Sequence, residues 1–192
     1  MQKLGKITVV AAAVFSVAAC GQKAADTAQP GTAAGPSVPA SSSAPAPSTP
    51  KSKGRECTAD DIKTTGKFGE SPTITIPDDC DPPKKLITKD LSPGTGEGAK
   101  AGQKLEMNYS LVTWSDKQKL DSSFDRGQTF PLTLGGGEVI PGWDQGLAGI
   151  KQGARRLLII PPDLGYGAAG NSGVQPNETL VFVTDAVSIA AA

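Results

Sequence analysis

The segment from Glu138 to Ile150 has helical spacing, and it constrains the fold more than any other stretch. Apolar residues fall at positions i, i+3, i+7 and i+10, namely Ile140, Trp143, Leu147 and Ile150, so one side of a short helix is apolar. Three glycines in the segment each cost about 1 kcal/mol relative to alanine, so this helix is not stable alone. The spacing predicts a short helix held by a surrounding β-sheet, with Trp143 as a core residue or the floor of a binding site.

The composition removes much conventional chemistry. The chain has 192 residues and no histidine. Because histidine is the commonest general base and metal ligand, Ser-His-Asp and Cys-His catalysis and most zinc sites are excluded. The 19 basic and 19 acidic side chains balance, and no long basic run offers a surface for phosphates. We therefore expect no nucleic-acid partner, no metal and no cofactor.

The first twenty residues have the features of an export signal. Lys3 and Lys6 precede an apolar stretch, Ile7 to Val17, that is too short to span a bilayer. The tetrad that ends at Cys20, Val-Ala-Ala-Cys, resembles a bacterial lipobox. The resemblance implies removal of a signal peptide, residues 1–19, and attachment of diacylglyceryl, with acyl chains such as palmitate, to Cys20. An ordinary signal peptide with an incidental cysteine is the alternative. We expect a lipoprotein anchored at the extracytoplasmic face of a bacterial cell membrane.

Residues 20–54 are predicted to form a disordered tether that starts at the lipidated cysteine. From Gly21 to Gly54 the sequence is dominated by Ala, Pro, Ser, Thr and Gly. Such a segment cannot bury enough apolar surface to offset the entropy lost on ordering. As a flexible coil it would span about 30 Å root-mean-square, which holds a domain clear of the membrane.

Two further cysteines, Cys57 and Cys80, lie in an N-terminal extension that we assign to residues 55–83. An even number of thiols in an exported chain is most simply a disulfide, and closing this loop would contribute about 3 kcal/mol of stability. Between the cysteines, Ile74 and Ile76 alternate with threonines. This alternation predicts one short strand at the edge of the main domain.

Residues 84–189 are assigned to one globular domain, and their pattern is that of β-strands. Apolar and polar residues alternate over Leu105–Leu111 and Phe130–Leu134, which predicts half-buried strands. Denser apolar runs at Leu157–Ile160 and Leu180–Val183 predict central strands. One helix among several strands and turn-forming segments favours an α+β fold, with an antiparallel sheet folded around the Trp143 helix.

Residues Gly165–Gly170 match a nucleotide-binding pattern, but the residues that follow do not fit such a site. The pattern G-x-G-x-x-G follows an apolar run, and Asp185 lies about twenty residues later, as a dinucleotide site requires. A Rossmann fingerprint must open a helix, however, and the next residues include Asn171, Gly173 and Pro176, which cannot continue one. We therefore predict no dinucleotide site.

A set of motifs in the globular domain carries a family resemblance. The motifs are Asn108–Ser110, Leu120–Arg126, Leu134-Gly135 leading to Glu138–Trp143, Ile160–Gly167 and Asn177–Phe182. In order and spacing they resemble the FKBP-type peptidyl-prolyl cis-trans isomerases over about residues 84–189. The resemblance implies an FKBP-like α+β fold, in which a half-open antiparallel β-sheet wraps around one short α-helix with an apolar pocket between them.

The resemblance also implies which side chains form the site. The catalytic set is Tyr109, Asp121, Trp143, Tyr166 and Phe182, and the substrate-binding set is Leu120, Arg126, Phe130, Val139 and Ile140. Trp143 is expected to be the floor for a proline ring, while the Ile140 N–H and the Tyr166 hydroxyl bind peptide carbonyls. The family usually has phenylalanine at the position of Leu120. This difference is expected to weaken the grip on substrate or to shift the preference for the residue before proline.

The implied reaction suits a chain without a nucleophile or general base, because rotating an amide breaks no bond. The barrier of about 18–20 kcal/mol comes from amide resonance, and the twisted transition state is less polar than the planar ground state, so an apolar pocket favours it. The expected partners are proline-containing peptides or exported unfolded proteins, macrolide inhibitors, and the membrane through the lipid anchor, with the protein a monomer. A non-catalytic proline-binding module or chaperone on the same fold is the alternative.

Overall fold

The structure is built mainly from short antiparallel strands. A computed structural model describes residues 52–171 and 173–191, so the predictions for the signal peptide, Cys20 and nearly all of the tether lie outside the described residues. The strands are β1 (Lys63–Thr64), β2 (Ile74–Thr75), β3 (Ile87–Ser92), β4 (Thr95–Gly98), β5 (Lys104–Thr113), β6 (Lys119–Ser122), β7 (Phe130–Thr133), β8 (Lys151–Gln152), β9 (Arg155–Ile160) and β10 (Leu180–Ile189). The helices are α1 (Ser123–Arg126), α2 (Pro141–Gly146) and a 3-10 turn at Pro162–Leu164.

Six strands form one antiparallel sheet, in the order β3-β9-β10-β5-β6, with β7 also paired to β5. The two dense apolar runs are β9 and β10, which lie at its centre as predicted. Their side chains alternate between two separate clusters: Leu158 and Phe182 belong to an inner cluster, and Leu157 and Val183 to an outer one. The runs are dense because both faces of the sheet are covered.

The helix α2 packs on the inner face of the sheet, which confirms the predicted α+β arrangement. Trp143, Leu147 and Ile150 of the apolar stripe are buried in the inner cluster, and Ile140 packs against it. The helix has only six residues and ends before Leu147. It is therefore shorter than the stripe, and the last two apolar side chains reach the core from the turn that follows.

Glycines let α2 approach β9 closely. A Cβ added at Gly142 would collide with the side chain of Ile160, and one added at Gly146 would lie 2.9 Å from Leu158 Cδ2. Real Cβ atoms do not make such contacts in a close-packed interior. The sheet leaves no room for a side chain at these two positions, so the segment carries glycines there despite their low helix propensity.

Arg156 fastens the C-terminal end of α2 to the sheet. Its guanidinium donates hydrogen bonds to the carbonyls of Gly146 (2.9 Å) and Ala148 (3.1 Å). The last carbonyls of a helix have no partner within the helix, so these bonds satisfy groups that would otherwise need water. Asp90 on β3 accepts two hydrogen bonds from the same guanidinium (2.5 and 3.1 Å) and so fixes its position.

The N-terminal extension lies across the outer face of the sheet. The short strand predicted between the two cysteines is β2, which pairs only with β1 among the described strands, and Ile62, Ile74 and Ile76 pack in the outer cluster. These isoleucines need an apolar surface, and the outer face of the sheet provides it. The members of the outer cluster are Cys57, Ile62, Ile74, Ile76, Cys80, Val112, Trp114, Leu157, Ile159, Val181 and Val183.

The predicted disulfide joins Cys57 and Cys80, whose Cα atoms are 5.1 Å apart. Both half-cystines are buried in the outer cluster. Upstream, the backbone N–H of Lys53 donates to the Asp81 carboxylate (2.9 Å), so the residues that were expected to end the tether are already fixed to the extension. The described residues, 52–171 and 173–191, belong to one compact unit, and the division between extension and domain near residue 84 stays a prediction.

A buried ion pair also ties the extension to the sheet. The side chains of Arg155 and Asp185 are 3% and 0% exposed and form two hydrogen bonds of 2.6 and 2.8 Å. Arg155 donates further to the carbonyls of Gly66 (2.8 Å) and Glu70 (2.6 Å), and Asp185 accepts from the Gly69 N–H (2.7 Å). A buried charge pair is tolerated only when its remaining groups are satisfied in this way. Asp185 therefore has a structural role.

The sequence predicted neither of two short helical elements, nor the strands β1, β3, β4, β6 and β8. The single turn α1 ends at Arg126 and is followed by Gly127, which has a φ of 63°. The 3-10 turn leads into further turns over residues 165–169. Both are too short to carry an apolar stripe with helical spacing. None of the helices in the described ranges is long and apolar enough to cross a membrane.

The close approach of α2 to β9 predicts the effect of enlarging Gly142. In Gly142→Ala, the added methyl must displace Ile160, and we expect the free energy of unfolding to fall by about 1–2 kcal/mol after the gain in helix propensity is subtracted. Gln145→Ala, on the exposed side of the same helix, is expected to change stability by less than about 0.5 kcal/mol. Urea unfolding measures both variants. Equal stability of the two would contradict the packing argument.

The disulfide is expected to stabilise the whole described unit, since it closes a loop of buried residues. Replacing both Cys57 and Cys80 with serine should lower the free energy of unfolding by about 3 kcal/mol. Urea unfolding of the wild type in a reducing agent is the control, and it should approach the curve of the double variant. If the reducing agent left the stability of the wild type unchanged while the double variant was destabilised, the loss of stability would be due to the serines and not to the missing disulfide.

Candidate active site

A cavity of about 380 Å³ opens between α2 and the inner face of the sheet. It is lined by Tyr109, Leu111, Asp121, Phe130, Glu138, Val139, Ile140, Trp143, Tyr166 and Phe182. These residues come from four strands, from α2 and from the segments before α2 and after the 3-10 turn. The site therefore exists only when the sheet has closed around the helix.

Strand register explains how distant residues meet at this cavity. In β5, Tyr109 and Leu111 are two residues apart, so their side chains point to the same face of the sheet. Leu111 lies opposite Phe182 on β10 and opposite Asp121 on β6. Alternation within one strand and pairing with two neighbours thus bring an aromatic ring and a carboxylate to one place.

Aromatic rings surround Trp143. Its ring centroid lies 5.3 Å from that of Tyr109, 5.8 Å from that of Phe130 and 5.4 Å from that of Phe182. The planes meet at 80° to 87°, the edge-to-face arrangement that aromatic pairs favour. Trp143 is 4% exposed. The cavity therefore has a rigid, apolar aromatic base.

One wall of the cavity carries a polar network. The Tyr109 hydroxyl donates to Asp121 (2.5 Å) and accepts from Arg126 (2.8 Å), and Arg126 also pairs with Asp121. The Arg126 guanidinium lies 5.5 Å from the centroid of the Tyr109 ring. The backbone N–H of Ser122 donates to the second oxygen of Asp121 (2.7 Å). Each of these polar side chains is therefore held in one orientation.

The electrostatics of this network keep every member in its ordinary protonation state at neutral pH. Burial, and then the hydrogen bond to Asp121, raise the pKa of Tyr109 above its usual value. Burial opposes ionisation of Asp121, but hydrogen bonds from Tyr109 and Arg126 outweigh it and lower its pKa. The hydrogen bond to Tyr109 and the pairing with Asp121 raise the pKa of Arg126, although desolvation opposes them. Neither Tyr109 nor Asp121 is tuned toward neutral pH for proton transfer.

Two hydrogen-bond donors at the cavity are available to a ligand. Within the described part of the chain, neither the backbone N–H of Ile140 nor the hydroxyl of Tyr166 donates to a protein acceptor. Ile140 immediately precedes α2, and Tyr166 follows the 3-10 turn. Both are half-buried. This geometry is compatible with the expectation that they bind peptide carbonyls.

Eight of the ten side chains predicted for the site line this cavity, and Leu120 and Arg126 do not. Leu120 is the extra residue of a β-bulge between the pairs Leu111–Asp121 and Val112–Lys119. It is 39% exposed and lies beside Gly173, because the bulge turns it away from the base of the cavity. Arg126 instead donates a hydrogen bond to the Tyr109 hydroxyl (2.8 Å) and so fixes the orientation of the Tyr109 side chain.

Sequence reasoning missed two lining residues, Leu111 and Glu138. The alternation that predicted β5 already placed Leu111 on the face of Tyr109, so that signal was available. For Glu138 the signals were its position next to Val139 and its place in the Glu138–Trp143 motif, because an exposed glutamate in a glycine-rich turn has no pattern of its own.

Among the described residues, one group of metal-ligating side chains lies close together, and it is outside the cavity. The group is Cys57, Asp61 and Cys80. Because the two sulfurs are joined in the disulfide, they are not thiolates and cannot ligate a metal.

Comparisons with known proteins agree with this geometry. The model of the family described as FKBP-type peptidyl-prolyl cis-trans isomerase matches residues 96–186. The FK506-binding protein of Streptomyces anulatus is 43% identical over 122 residues, which cover 62% of this chain and 98% of that protein. An FK506-binding protein of Neisseria meningitidis serogroup A is 42% identical over 106 residues, which cover 54% of this chain and 95% of that protein.

A solved structure supports the same assignment. The crystal structure of FkpA from Escherichia coli matches with a TM-score of 0.51 and 38% sequence identity, covering 54% of this chain and 47% of that chain. Three findings lead to one conclusion: an antiparallel sheet packs on a short helix, an aromatic cavity lies between them, and two relatives are matched over nearly their whole length. The chain belongs to the FKBP-type peptidyl-prolyl cis-trans isomerases.

Proposed function

We propose that this isomerase acts on X-Pro bonds of exported proteins at the outer face of a bacterial cell membrane, and that the Trp143 cavity is its active site. The observation that carries the assignment of the site is the pairing of an aromatic base with a polar wall that is not tuned for proton transfer. Isomerisation of a peptide bond needs a place where the amide twists, and it needs no acid, base or nucleophile.

The cavity would lower the barrier by changing the surroundings of the amide. Resonance gives the planar amide a polar carbonyl, and the twisted transition state has lost much of that polarity. Moving the X-Pro bond from water to a site bordered by Trp143, Phe130 and Phe182 penalises the planar form more than the twisted one. The proline ring would pack on Trp143, the largest apolar surface at the base.

Polar groups around the cavity would hold the peptide on either side of the rotating bond. The free N–H of Ile140 and the hydroxyl of Tyr166 are placed to donate to peptide carbonyls. Tyr109 and Asp121, locked by Arg126, would orient the twisted carbonyl without exchanging a proton with it. Fixing both flanking segments lets binding energy favour the twisted geometry.

The same cavity would accept a macrolide inhibitor. Relatives that match this chain are named FK506-binding proteins, and the residues that line the cavity here are mostly aromatic or aliphatic. We therefore propose that FK506 competes with proline-containing peptides for this site.

The proposed location outside the cytoplasm has support from two parts of the chain. The N-terminal sequence has a basic start, an apolar stretch and a lipobox-like tetrad at Cys20. The buried Cys57–Cys80 disulfide is typical of proteins in an oxidising compartment. Uncatalysed proline isomerisation takes tens of seconds or more, which is slow enough to limit the folding of exported chains.

The assignment of the active site predicts different effects for the two tryptophans of the chain. Trp143→Phe should lower kcat/KM by about twofold to tenfold, because the aromatic contacts at the base are weakened. Trp114→Phe should leave kcat/KM unchanged and reduce only stability, because Trp114 is buried in the outer cluster. A protease-coupled assay on a short X-Pro peptide measures the rates, and FK506 binding is measured in parallel.

Two outcomes would reject parts of this proposal. Equal activity of the wild type, Trp143→Phe and Tyr166→Phe proteins would show that the cavity is not the active site. Binding of FK506 without any acceleration by pure wild-type protein would favour the alternative, a non-catalytic proline-binding module.

The proposed anchor predicts the behaviour of a Cys20→Ala variant. Cells that grow with labelled palmitate should incorporate the label into the wild-type protein and not into Cys20→Ala, since only Cys20 is expected to be acylated. The variant should also leave the membrane fraction, because several acyl chains are needed for stable anchoring. The Cys57→Ser, Cys80→Ser double variant is the control and should keep the label. Labelling of Cys20→Ala would contradict the lipobox assignment.

A further inference from the structure

Glu138 lies where the active-site cavity meets a second cavity. We propose that Glu138 determines substrate specificity by attracting a cationic side chain, lysine or arginine, on a residue next to the proline. The inference rests on the proposed function, because it concerns the peptides that the Trp143 cavity would turn over.

The second cavity gives a peptide a path past Glu138. It has a volume of about 540 Å³ and runs beside the edge strand β7. Pro131, Leu132 and Thr133 of β7 line it together with residues of β5 and of the end of β10. Glu138 lines both this cavity and the one that contains Trp143. A peptide that leaves the active site in this direction therefore passes the Glu138 carboxylate.

The Glu138 carboxylate is held in place by the chain itself. Its Oε2 atom accepts a hydrogen bond from the backbone N–H of Thr133 (2.9 Å). The N–H of Gly136 donates to the Thr133 carbonyl (3.0 Å), which turns the glycine-rich segment back toward β7. Within residues 52–171 and 173–191, the Oε1 atom has no hydrogen-bond partner. One oxygen thus fixes the carboxylate, and the other is free to accept from a ligand.

Two carboxylates line the active-site cavity, and Glu138 is the one without a cationic partner among the described residues. The other one, Asp121, is paired with Arg126. Glu138 forms no ion pair within the described part of the chain. In the second cavity, Lys104 and Glu106 carry charges that offset each other. The net charge that a bound peptide meets along this path is therefore the negative charge of Glu138.

The size of the effect follows from the exposure of the site. Glu138 is solvent-exposed in the free protein, so an ion pair with a lysine of the substrate would be partly screened. Exposed ion pairs of this kind correspond to about 1.5-fold to fivefold in an equilibrium or rate constant. Because salt screens such pairs, the preference should decrease as ionic strength rises. An acidic residue at the same peptide position should be disfavoured to a similar degree.

The test uses short proline peptides that differ at one position. Lysine, norleucine or glutamate is placed either directly before or directly after the proline, and isomerisation is measured by NMR exchange spectroscopy, which needs no coupling protease. For the wild type we expect kcat/KM to be about 1.5-fold to fivefold higher with lysine than with norleucine at one of the two positions. In Glu138→Gln this preference should disappear: the ratio of kcat/KM for the lysine peptide to kcat/KM for the norleucine peptide should fall to about one.

Glu70→Gln is the matched control. Glu70 is another exposed glutamate whose Oε2 atom accepts a nearby backbone N–H, that of Lys67 (3.0 Å), but it lies in the extension on the outer face of the sheet. This variant should keep the wild-type preference. Equal rates for the lysine and norleucine peptides at both positions, or a preference that survives in Glu138→Gln, would overturn the inference. Absence of turnover with every peptide would instead reject the isomerase activity itself.

Discussion

The contact between α2 and β9 is the interaction on which the rest of the structure depends. Gly142 and Gly146 bring the helix backbone against Ile160 and Leu158, and Arg156 closes its C-terminal end. A six-residue helix with two glycines has no stability of its own, so the sheet supplies it. In return, the helix places Trp143 in contact distance of aromatic rings from three strands. The stability of the fold and the geometry of the cavity thus depend on the same packed layer.

The sheet is covered on its other face by the extension, which lies outside the residues matched by the family model. The disulfide closes the extension on itself, and the Arg155–Asp185 pair fastens its turn to β9 and β10. The central strands therefore sit between two apolar clusters, and a small domain gains core volume without a longer helix. Residues of β5 and β10 also line the cavity of the proposed active site, so the extension packs against the opposite face of the strands that form it.

The base and the walls of the cavity differ in polarity, which suits the two parts of a bound peptide, the rotating bond and the residues on either side of it. The base is apolar and rigid, and it suits a reaction in which an amide loses polarity on the way to its transition state. The charged groups lie on the walls, where Asp121 is paired with Arg126 and Glu138 has no cationic partner among the described residues. A fixed hydrogen-bond partner orients each carboxylate. In the proposed reaction the rotating bond would contact the apolar base, and the residues on either side of it would contact polar groups.

The sequence by itself determined the central strands, the Trp143 helix and, through the family resemblance, most of the residues that line the cavity. Period-two alternation placed Tyr109 and Leu111 on one face, the helical stripe placed Trp143 in the core, and the order of five motifs indicated the family, because each signal depends on neighbours along the chain. Only the tertiary structure decided that the extension covers the outer face, that Leu120 is bulged away from the cavity, and that Glu138 joins two cavities. These features depend on strand register, on a bulge and on the closure of a glycine-rich turn against an edge strand. Such pairings are set by contacts between distant segments, which local spacing does not encode.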